Sequence, residues 1–170
     1  HTPWYWVTKL EVNKLTESRS YSWLLGFRKT SNATNERTTI FSIFPKNGAN
    51  DKQQILNCDG NAIIHCLLLG NLNSIILDHF SRQKVGGTDL SFHYVKQFPI
   101  LTPEILSDKS HDLLPKILEL TYTSWDIKAF ADDLWRESDA EMRAFITRQW
   151  EESRAAVGAH DWEVPEWSPA

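Results

Sequence analysis

Hydrophobic and polar residues alternate in two neighbouring segments near the start of the chain. In the first, Tyr21–Lys29, apolar side chains occupy every second position, which is typical of a strand with one buried face. These are Trp23, Leu25 and Phe27. A second apolar segment, Arg37–Phe44, follows residues 30–35, which are rich in Ser, Thr and Asn and predict a loop. The two segments predict an antiparallel hairpin with a long tip. Gly26 predicts a bulge or a close approach of another chain segment.

Most of the remaining apolar residues recur at helical spacing. The predicted helices are Leu10–Leu15, Asn61–Gly70, Leu72–Phe80, Leu90–Lys96, Asp112–Tyr122, Asp126–Leu134 and Glu141–Val157. Thr8, Asp126 and Asp139 are candidate N-caps, and Pro115 is expected in a first helical turn. The third helix is expected to turn inward Leu72, Ile75, Ile76, Leu77 and Phe80. The predicted short strands are Trp4–Val7 and Gln54–Leu56.

These elements predict an α+β fold: a small, mainly antiparallel sheet with flanking helices, followed by a C-terminal helical extension. At 170 residues the chain is long enough for one domain with its own core. We expect residues 1–106 to form that domain, residues 107–158 the helical extension and residues 159–170 a flexible tail. Four tryptophans are expected in the core rather than on a base-stacking surface: Trp4, Trp6, Trp23 and Trp125.

The segment from residue 81 to residue 99 combines cations, glycines and potential caps. The helix predicted at Leu72–Phe80 delivers Arg82–Lys84 at its C-terminal end. Gly86–Gly87 is expected to stop this helix, because glycine tolerates positive φ and allows close approach. Thr88 and Asp89 are candidate N-caps for the next helix. Basic donors beside a turn with free N–H groups are suited to holding a phosphate.

Three blocks of sequence carry a family resemblance. Residues 82–88 are Arg-Gln-Lys-Val-Gly-Gly-Thr, followed by an aromatic segment and Lys-Gln-Phe-Pro. Residues 23–28 are Trp-Leu-Leu-Gly-Phe-Arg, and residues 32–38 are Asn-Ala-Thr-Asn-Glu-Arg-Thr, with Asn35 where the family usually has Asp. Residues 122–126 are Tyr-Thr-Ser-Trp-Asp. In this order the blocks resemble the C-terminal target-recognition region of adenine-specific DNA methyltransferases, including those of type IIG restriction–modification enzymes and phage-exclusion systems.

The resemblance implies a module that recognises a short sequence in double-stranded DNA. Its other expected partner is a methyltransferase domain that precedes it in a longer parent chain. That parent is expected to transfer a methyl group from S-adenosylmethionine to N6 of adenine and, if a nuclease is fused to it, to cleave DNA with Mg²⁺. The fragment itself is expected to hold no cofactor and to be non-catalytic, because its sequence has neither an Asn/Asp-Pro-Pro-Tyr-type loop nor a Gly-rich cofactor loop.

Charge is divided unevenly along the chain, whose formal net charge is −4. Residues 1–100 contain 11 Lys and Arg against 7 Asp and Glu, whereas residues 101–170 contain 7 against 15. The first part therefore suits a polyanionic partner, although a merely solvated acidic C-terminal helix explains the same numbers. Two cysteines, Cys58 and Cys66, and no long apolar run favour a reduced, cytoplasmic setting without a membrane. The start at His1 is that expected of an excised fragment.

Specific DNA binding needs cations and N–H groups on phosphates, and planar or amide side chains on base edges. The candidate phosphate contacts are Arg28, Lys29, Arg37, Arg82, Lys84, Lys96 and the backbone of Gly86, Gly87 and Thr88. The candidate base contacts are Asn32, Asn35, Arg37 and Gln83. A solvated surface role is the alternative for each of them. In a further alternative, Glu36 pairs with Arg28 or Arg37 and braces the hairpin.

Two other function classes stay open at this point. One is a protein–protein interaction or scaffold module that does not bind DNA, and the salt dependence of binding separates it from a DNA-binding module. The other is a nuclease, because Asp126 and Lys128 have the spacing of a catalytic carboxylate–lysine pair, but no matched upstream strand accompanies them. The residues that could ligate a metal lie too far apart to predict a site: His65, Cys66, His79 and His93.

Overall fold

A computed structural model describes residues 7–17 and 19–157 of the chain. Within these ranges a three-stranded antiparallel sheet and eight α-helices form the predicted α+β fold. The strands are β1 Trp23–Arg28, β2 Phe41–Pro45 and β3 Gln53–Leu56. The helices are α1 Lys9–Leu15, α2 Ala62–Leu72, α3 Ile75–Lys84, α4 Phe92–Val95, α5 Pro103–Ser107, α6 Ser110–Thr121, α7 Lys128–Glu137 and α8 Ala140–Val157. A 3₁₀ turn, Trp125–Ile127, precedes α7.

The strand order is β2-β1-β3, so β1 is the central strand. It pairs with both neighbours at Leu25, which lies opposite Ile43 of β2 and Leu56 of β3. The hairpin of β1 and β2 and the short strand β3 confirm the predicted sheet. The predicted alternation of buried and exposed side chains along β1 is incomplete, because Leu24 on its opposite face is buried as well.

The second strand begins later than predicted. Residues 37–40 were expected to belong to it, but β2 starts at Phe41. The N–H groups of Thr38 and Thr39 each donate to Oδ1 of Asp78 at 2.8 Å. They therefore bond to a side chain and not to the backbone of a neighbouring strand. At the start of β2, the N–H of Phe41 donates to Oδ1 of Asn73 at 3.0 Å.

The helix after α2 also differs from its prediction. Helix α2 continues through Gly70 to Leu72, and α3 begins at Ile75 after the N-cap Ser74. The expectation that Ile75 and Ile76 point inward is wrong, since their exposed fractions are 79% and 83%. The buried residues of α3 are Leu77, Asp78 and Ser81, so the face that packs inward is largely polar.

The helix stops just before the two glycines, as predicted, but the N-caps predicted after them are wrong. Helix α3 ends at Lys84 with Val85 as its C-cap, and α4 begins after Ser91 and has only four residues. Thr88 and Asp89 do not act as N-caps because this segment pairs with the end of the hairpin strand, in a bridge between Asp89 and Thr30. Gly86–Gly87 lies between the helix and that bridge.

The C-terminal helices follow the predicted spans closely. The N–H of Met142 donates to Oδ1 of Asp139 at 2.8 Å, as expected of an N-cap. Pro115 lies inside α6 rather than in its first turn, because α6 already starts at Ser110. Ser124, not Asp126, caps the 3₁₀ turn.

One hydrophobic core runs from the sheet into these helices. Leu25 of β1, Leu114 of α6 and Phe130 of α7 belong to the same cluster of buried side chains. Trp23 is buried as predicted, and its Nε1 donates to Oδ2 of Asp133 at 2.9 Å. The predicted boundary at residue 106 stays a prediction.

Two further expectations concern residues at the margins of this core. The expectation of a buried Trp125 is wrong, since 54% of this residue is exposed. The short strand predicted at Trp4–Val7, the core positions of Trp4 and Trp6, and the tail from residue 159 lie wholly or mainly outside the described residues.

In the described part of the chain, no single helix has both the length and the apolar character needed to cross a membrane. The pair α2 and α3 meets both criteria when taken together, but it is bent by 61° at the break between the two helices.

Gly26 is a point of close approach, as its position in the strand predicted. A Cβ atom here would clash with the carbonyl oxygen of Gln54 and would lie 2.9 Å from the ring of Phe44.

We expect Gly26→Ala to lower the free energy of unfolding by about 1–3 kcal/mol through overpacking, measured by urea denaturation. Gly48→Ala is the control, because its Cβ would make ordinary contacts with Val7 at 3.4 Å or more. Equal stability of the two variants would contradict this reading of the strand.

Candidate nucleic-acid interface

The structure brings the predicted DNA contacts together from distant parts of the chain. The N–H of Leu90 donates to the carbonyl oxygen of Lys29 at 2.6 Å, and the N–H of Ser31 donates to that of Thr88 at 2.8 Å. The glycine segment therefore runs beside the end of β1. Nζ of Lys84 lies 3.5 Å from Oε1 of Gln97, the residue after Lys96. Residues 28–37, 82–89 and 96 thus lie in one region, which we call the interface region.

The buried carboxylate of Asp78 holds the loop of this region in place. Its side chain is only 6% exposed, and Oδ1 accepts hydrogen bonds from the two loop N–H groups described above and from Oγ1 of Thr39 at 3.1 Å. Oδ2 accepts from Nε of Arg82 at 3.1 Å. Burial by itself raises the pKa of Asp78, but the hydrogen bonds from Thr39, Arg82 and Thr38 outweigh burial and hold the pKa below its usual 3.8. The ionised carboxylate is therefore the form that holds the loop.

Two of the predicted cations brace the loop from inside the protein. Besides its contact with Asp78, the guanidinium of Arg82 donates to the carbonyl oxygens of Ala33 and Glu36. Nη2 of Arg37 donates to the carbonyl oxygen of Asn73 at 2.6 Å. These contacts give both arginines a structural role beside their predicted contact with DNA. Glu36 takes part through its backbone, and not through an ion pair with Arg28 or Arg37.

The other predicted side chains differ in how far the protein itself engages them. Nζ of Lys29 pairs with Asp51 at 2.8 Å, which raises the pKa of the lysine. Oδ1 of Asn32 accepts from the N–H of Thr34 at 3.0 Å and so shapes the loop. Nζ of Lys84 also lies over the ring of Phe80, 5.7 Å from its centroid. Four exposed side chains make no hydrogen bond or ion pair within the described ranges: Arg28, Asn35, Gln83 and Lys96.

The segment Gly86–Thr88 presents free backbone donors. No acceptor within residues 7–17 and 19–157 takes a hydrogen bond from the N–H of Gly86, Gly87 or Thr88. Both glycines are exposed, neither has positive φ, and a Cβ on either would meet nothing within 4 Å. The freedom of glycine to take positive φ is therefore not used here. The fold itself makes no demand for glycine at these two positions.

Two residues that matter here were missed from the sequence. Asp78 stands four positions before Arg82 on α3, a spacing that would have predicted an ion pair but not the bonds to residues 38 and 39. Asn73 lies just after α2, and its side chain both donates to and accepts from the backbone of Phe41.

The residues of the nuclease alternative do not form a comparable site. Nζ of Lys128 pairs with Asp132 at 2.7 Å, four residues along α7. Among the residues that the structure describes, no group of three or more His, Cys, Asp or Glu side chains is placed to hold a metal ion. Cys58 and Cys66 are free, and burial raises the pKa of both thiols.

Comparison of the chain with protein-family models, with curated proteins and with solved structures gave no significant match.

We expect Asp78→Asn to lower the free energy of unfolding by ~2–4 kcal/mol, because it removes a buried charge that several donors share. The substitution also changes how the free energy of unfolding depends on pH. The pKa of Asp78 is lowered in the folded state, so the stabilisation is complete above the unfolded value of about 3.8 and is lost as the pH falls through the folded value. Urea denaturation between pH 7 and pH 3 measures both effects.

The matched control for this prediction is Asp108→Asn, at an exposed carboxylate whose side chain has no partner within the described residues. We expect its stability to stay within about 0.5 kcal/mol of the unmodified chain. If Asp78→Asn behaved like this control, or lost stability in acid as steeply as the unmodified chain, Asp78 would not organise the interface region.

Proposed function

We propose that the chain is a recognition module for double-stranded DNA and that it holds the DNA backbone at Gly86–Thr88. The observation that carries the proposal is a set of three consecutive N–H groups, at Gly86, Gly87 and Thr88, that have no acceptor among the described residues, in a segment whose two glycines the fold does not require. Successive backbone N–H groups without an internal acceptor can donate to an anion, and phosphate is the anion that DNA presents.

Cations flank these N–H groups. Lys84 ends the helix before them. Arg28 ends β1, and Lys29 follows it. Lys96 follows α4 and is exposed. Within the described residues, the side chains of Arg28 and Lys96 have no partner, so DNA can contact them without breaking a contact seen there. Phosphate contacts of this kind fix the position of the module on the duplex without regard to sequence.

The contacts of Asp78 and Arg82 with the loop between β1 and β2 fix this surface in place before DNA binds. Asp78 and Arg82 hold residues 33–39 through backbone atoms, which leaves the amide of Asn35 facing solvent. A loop held in this way loses little conformational entropy when it meets a ligand. In this proposal Arg82 is a positioning residue, and Lys84, Lys96 and the N–H groups of Gly86–Thr88 are the phosphate contacts.

The three sequence blocks that resemble adenine-specific DNA methyltransferases support the same proposal. Two of them, at residues 23–38 and 82–88, form the interface region. We further propose that the module presents DNA to a methyltransferase domain earlier in the parent chain, which uses S-adenosylmethionine. No residue of the fragment has a catalytic role in this proposal.

The proposal predicts binding to a pool of randomised duplexes that weakens steeply with salt. For about four phosphate contacts, the affinity should fall roughly 100-fold between 50 and 200 mM monovalent salt. Lys84→Ala/Lys96→Ala should lower the affinity at 50 mM salt and reduce the slope of log K against log salt by about 2. Fluorescence anisotropy of a labelled pool measures both quantities.

Lys109→Ala/Lys116→Ala is the matched control, because it removes the same charge from exposed positions around α6. It should leave the salt slope unchanged. Absence of binding at 50 mM salt, or equal slopes for the two double variants, would overturn the proposal. Binding to a protein partner that persists at high salt would favour the protein–protein module instead.

A second variant separates the glycine segment from the stability of the fold. Gly86→Ala/Gly87→Ala should leave the free energy of unfolding unchanged or raise it by up to ~1 kcal/mol, because the added methyl groups meet no protein atom. The same variant should bind the duplex pool several-fold more weakly, because the methyl groups keep the phosphate from the N–H groups. Unchanged binding would exclude close contact at these glycines.

A further inference from the structure

A cleft lies on the face of the sheet opposite the core, at the end of β1 that adjoins the glycine segment. Its volume is about 260 Å³. The residues that line it are Phe27, Arg28, Ile40, Ser42, Asn50, Lys52 and Gln53. Of these, only Arg28 was predicted from the sequence as a site residue. The cleft is thus a feature that the fold creates from three separate strands and a turn.

The strand register explains why these side chains share one face. Arg28 lies opposite Gln53, and Gly26 lies opposite Ser42, so Arg28, Ser42 and Gln53 project to the same side. Phe27 and Phe41 project to the other side and are buried in the core. Gly26 has no side chain, and the ring of Phe44 lies over it, 2.9 Å from where its Cβ would be.

The cleft has the composition of a surface that contacts bases. It contains a guanidinium, two carboxamides, a hydroxyl and an ammonium group, and no carboxylate lines it. The nearby Asp51 is paired with Lys29 at 2.8 Å and lies 3.8 Å from Lys52. The side chains of Arg28, Ser42 and Gln53 have no partner in the described part of the chain, so their donors and acceptors are available to a ligand.

We propose that this cleft contacts base edges in the major groove, with Arg28 on guanine and Gln53 on adenine. The inference rests on the proposed binding of duplex DNA. Arginine fits the O6 and N7 acceptors of guanine with two parallel hydrogen bonds, and glutamine fits N6 and N7 of adenine. Ile40, which is 38% exposed, offers an apolar contact to a thymine methyl group.

The position of the cleft is consistent with phosphate contacts at Gly86–Thr88 and base contacts in the cleft. Arg28 is adjacent in sequence to Lys29, whose carbonyl oxygen accepts from the N–H of Leu90. A duplex whose backbone rests on Gly86–Thr88 therefore lies beside the end of β1. A sheet surface of two or three strands is narrow enough to enter the major groove.

The test is selection of sequences from a randomised duplex pool by the unmodified chain and by Arg28→Lys and Gln53→Ala. Arg28→Lys keeps the charge but removes the planar pair of donors. We expect it to bind the bulk pool with an unchanged salt slope, while the preference for guanine at one position falls about tenfold. Gln53→Ala should reduce the preference for adenine at a different position.

Lys84→Arg is the matched control, since it makes a conservative exchange at a proposed phosphate contact and should leave the selected sequence unchanged. Thermal unfolding of each variant checks that the fold is retained. The inference is overturned if both cleft variants select the same sequence as the unmodified chain, or if the unmodified chain binds DNA without any base preference. Failure of the unmodified chain to bind the pool at 50 mM salt would instead overturn the proposed function itself.

Discussion

The buried carboxylate of Asp78 is the constraint on which the arrangement of the interface region depends. It lies on α3, yet it accepts hydrogen bonds from the backbone of the loop that joins β1 to β2. The same carboxylate orients Arg82, whose guanidinium reaches further carbonyl oxygens in that loop. A buried negative charge is tolerated only when such donors surround it. One side chain therefore links the loop of the hairpin to helix α3.

In this arrangement, the side chains that hold the loop in place differ from those that are available to contact a ligand. Arg82 and Arg37 face acceptors inside the protein, so their charges are largely used in holding the loop. In the part of the chain that the structure describes, the exposed side chains of Arg28 and Lys96 have no partner, and the N–H groups of Gly86–Thr88 have no acceptor. The overall net charge of −4 therefore says little about this region, because the acidic residues are concentrated in the second half of the chain.

The elements that depend on local patterns could be predicted from the sequence. The hairpin follows from period-two apolar residues, and Thr8 and Asp139 act as the caps that their positions indicate. The start of β2 and the segment after α3 could not be predicted, because each is set by a distant partner. Asp78 lies 40 residues from Thr38, and no local pattern reports such a contact. The cleft escaped prediction for the same reason, since its side chains meet only through the strand register.

The most direct measurement is a titration of the ¹⁵N-labelled chain with a short mixed-sequence duplex, followed by amide NMR shifts at low salt. If the N–H groups of Gly86, Gly87 and Thr88 hold a phosphate, their resonances should be among the most strongly shifted and should return toward their free positions as salt is added. The amides of α8 should stay in place. Shifts confined to α8 or to other surfaces, with these three amides unmoved, would contradict the assignment of this segment to DNA.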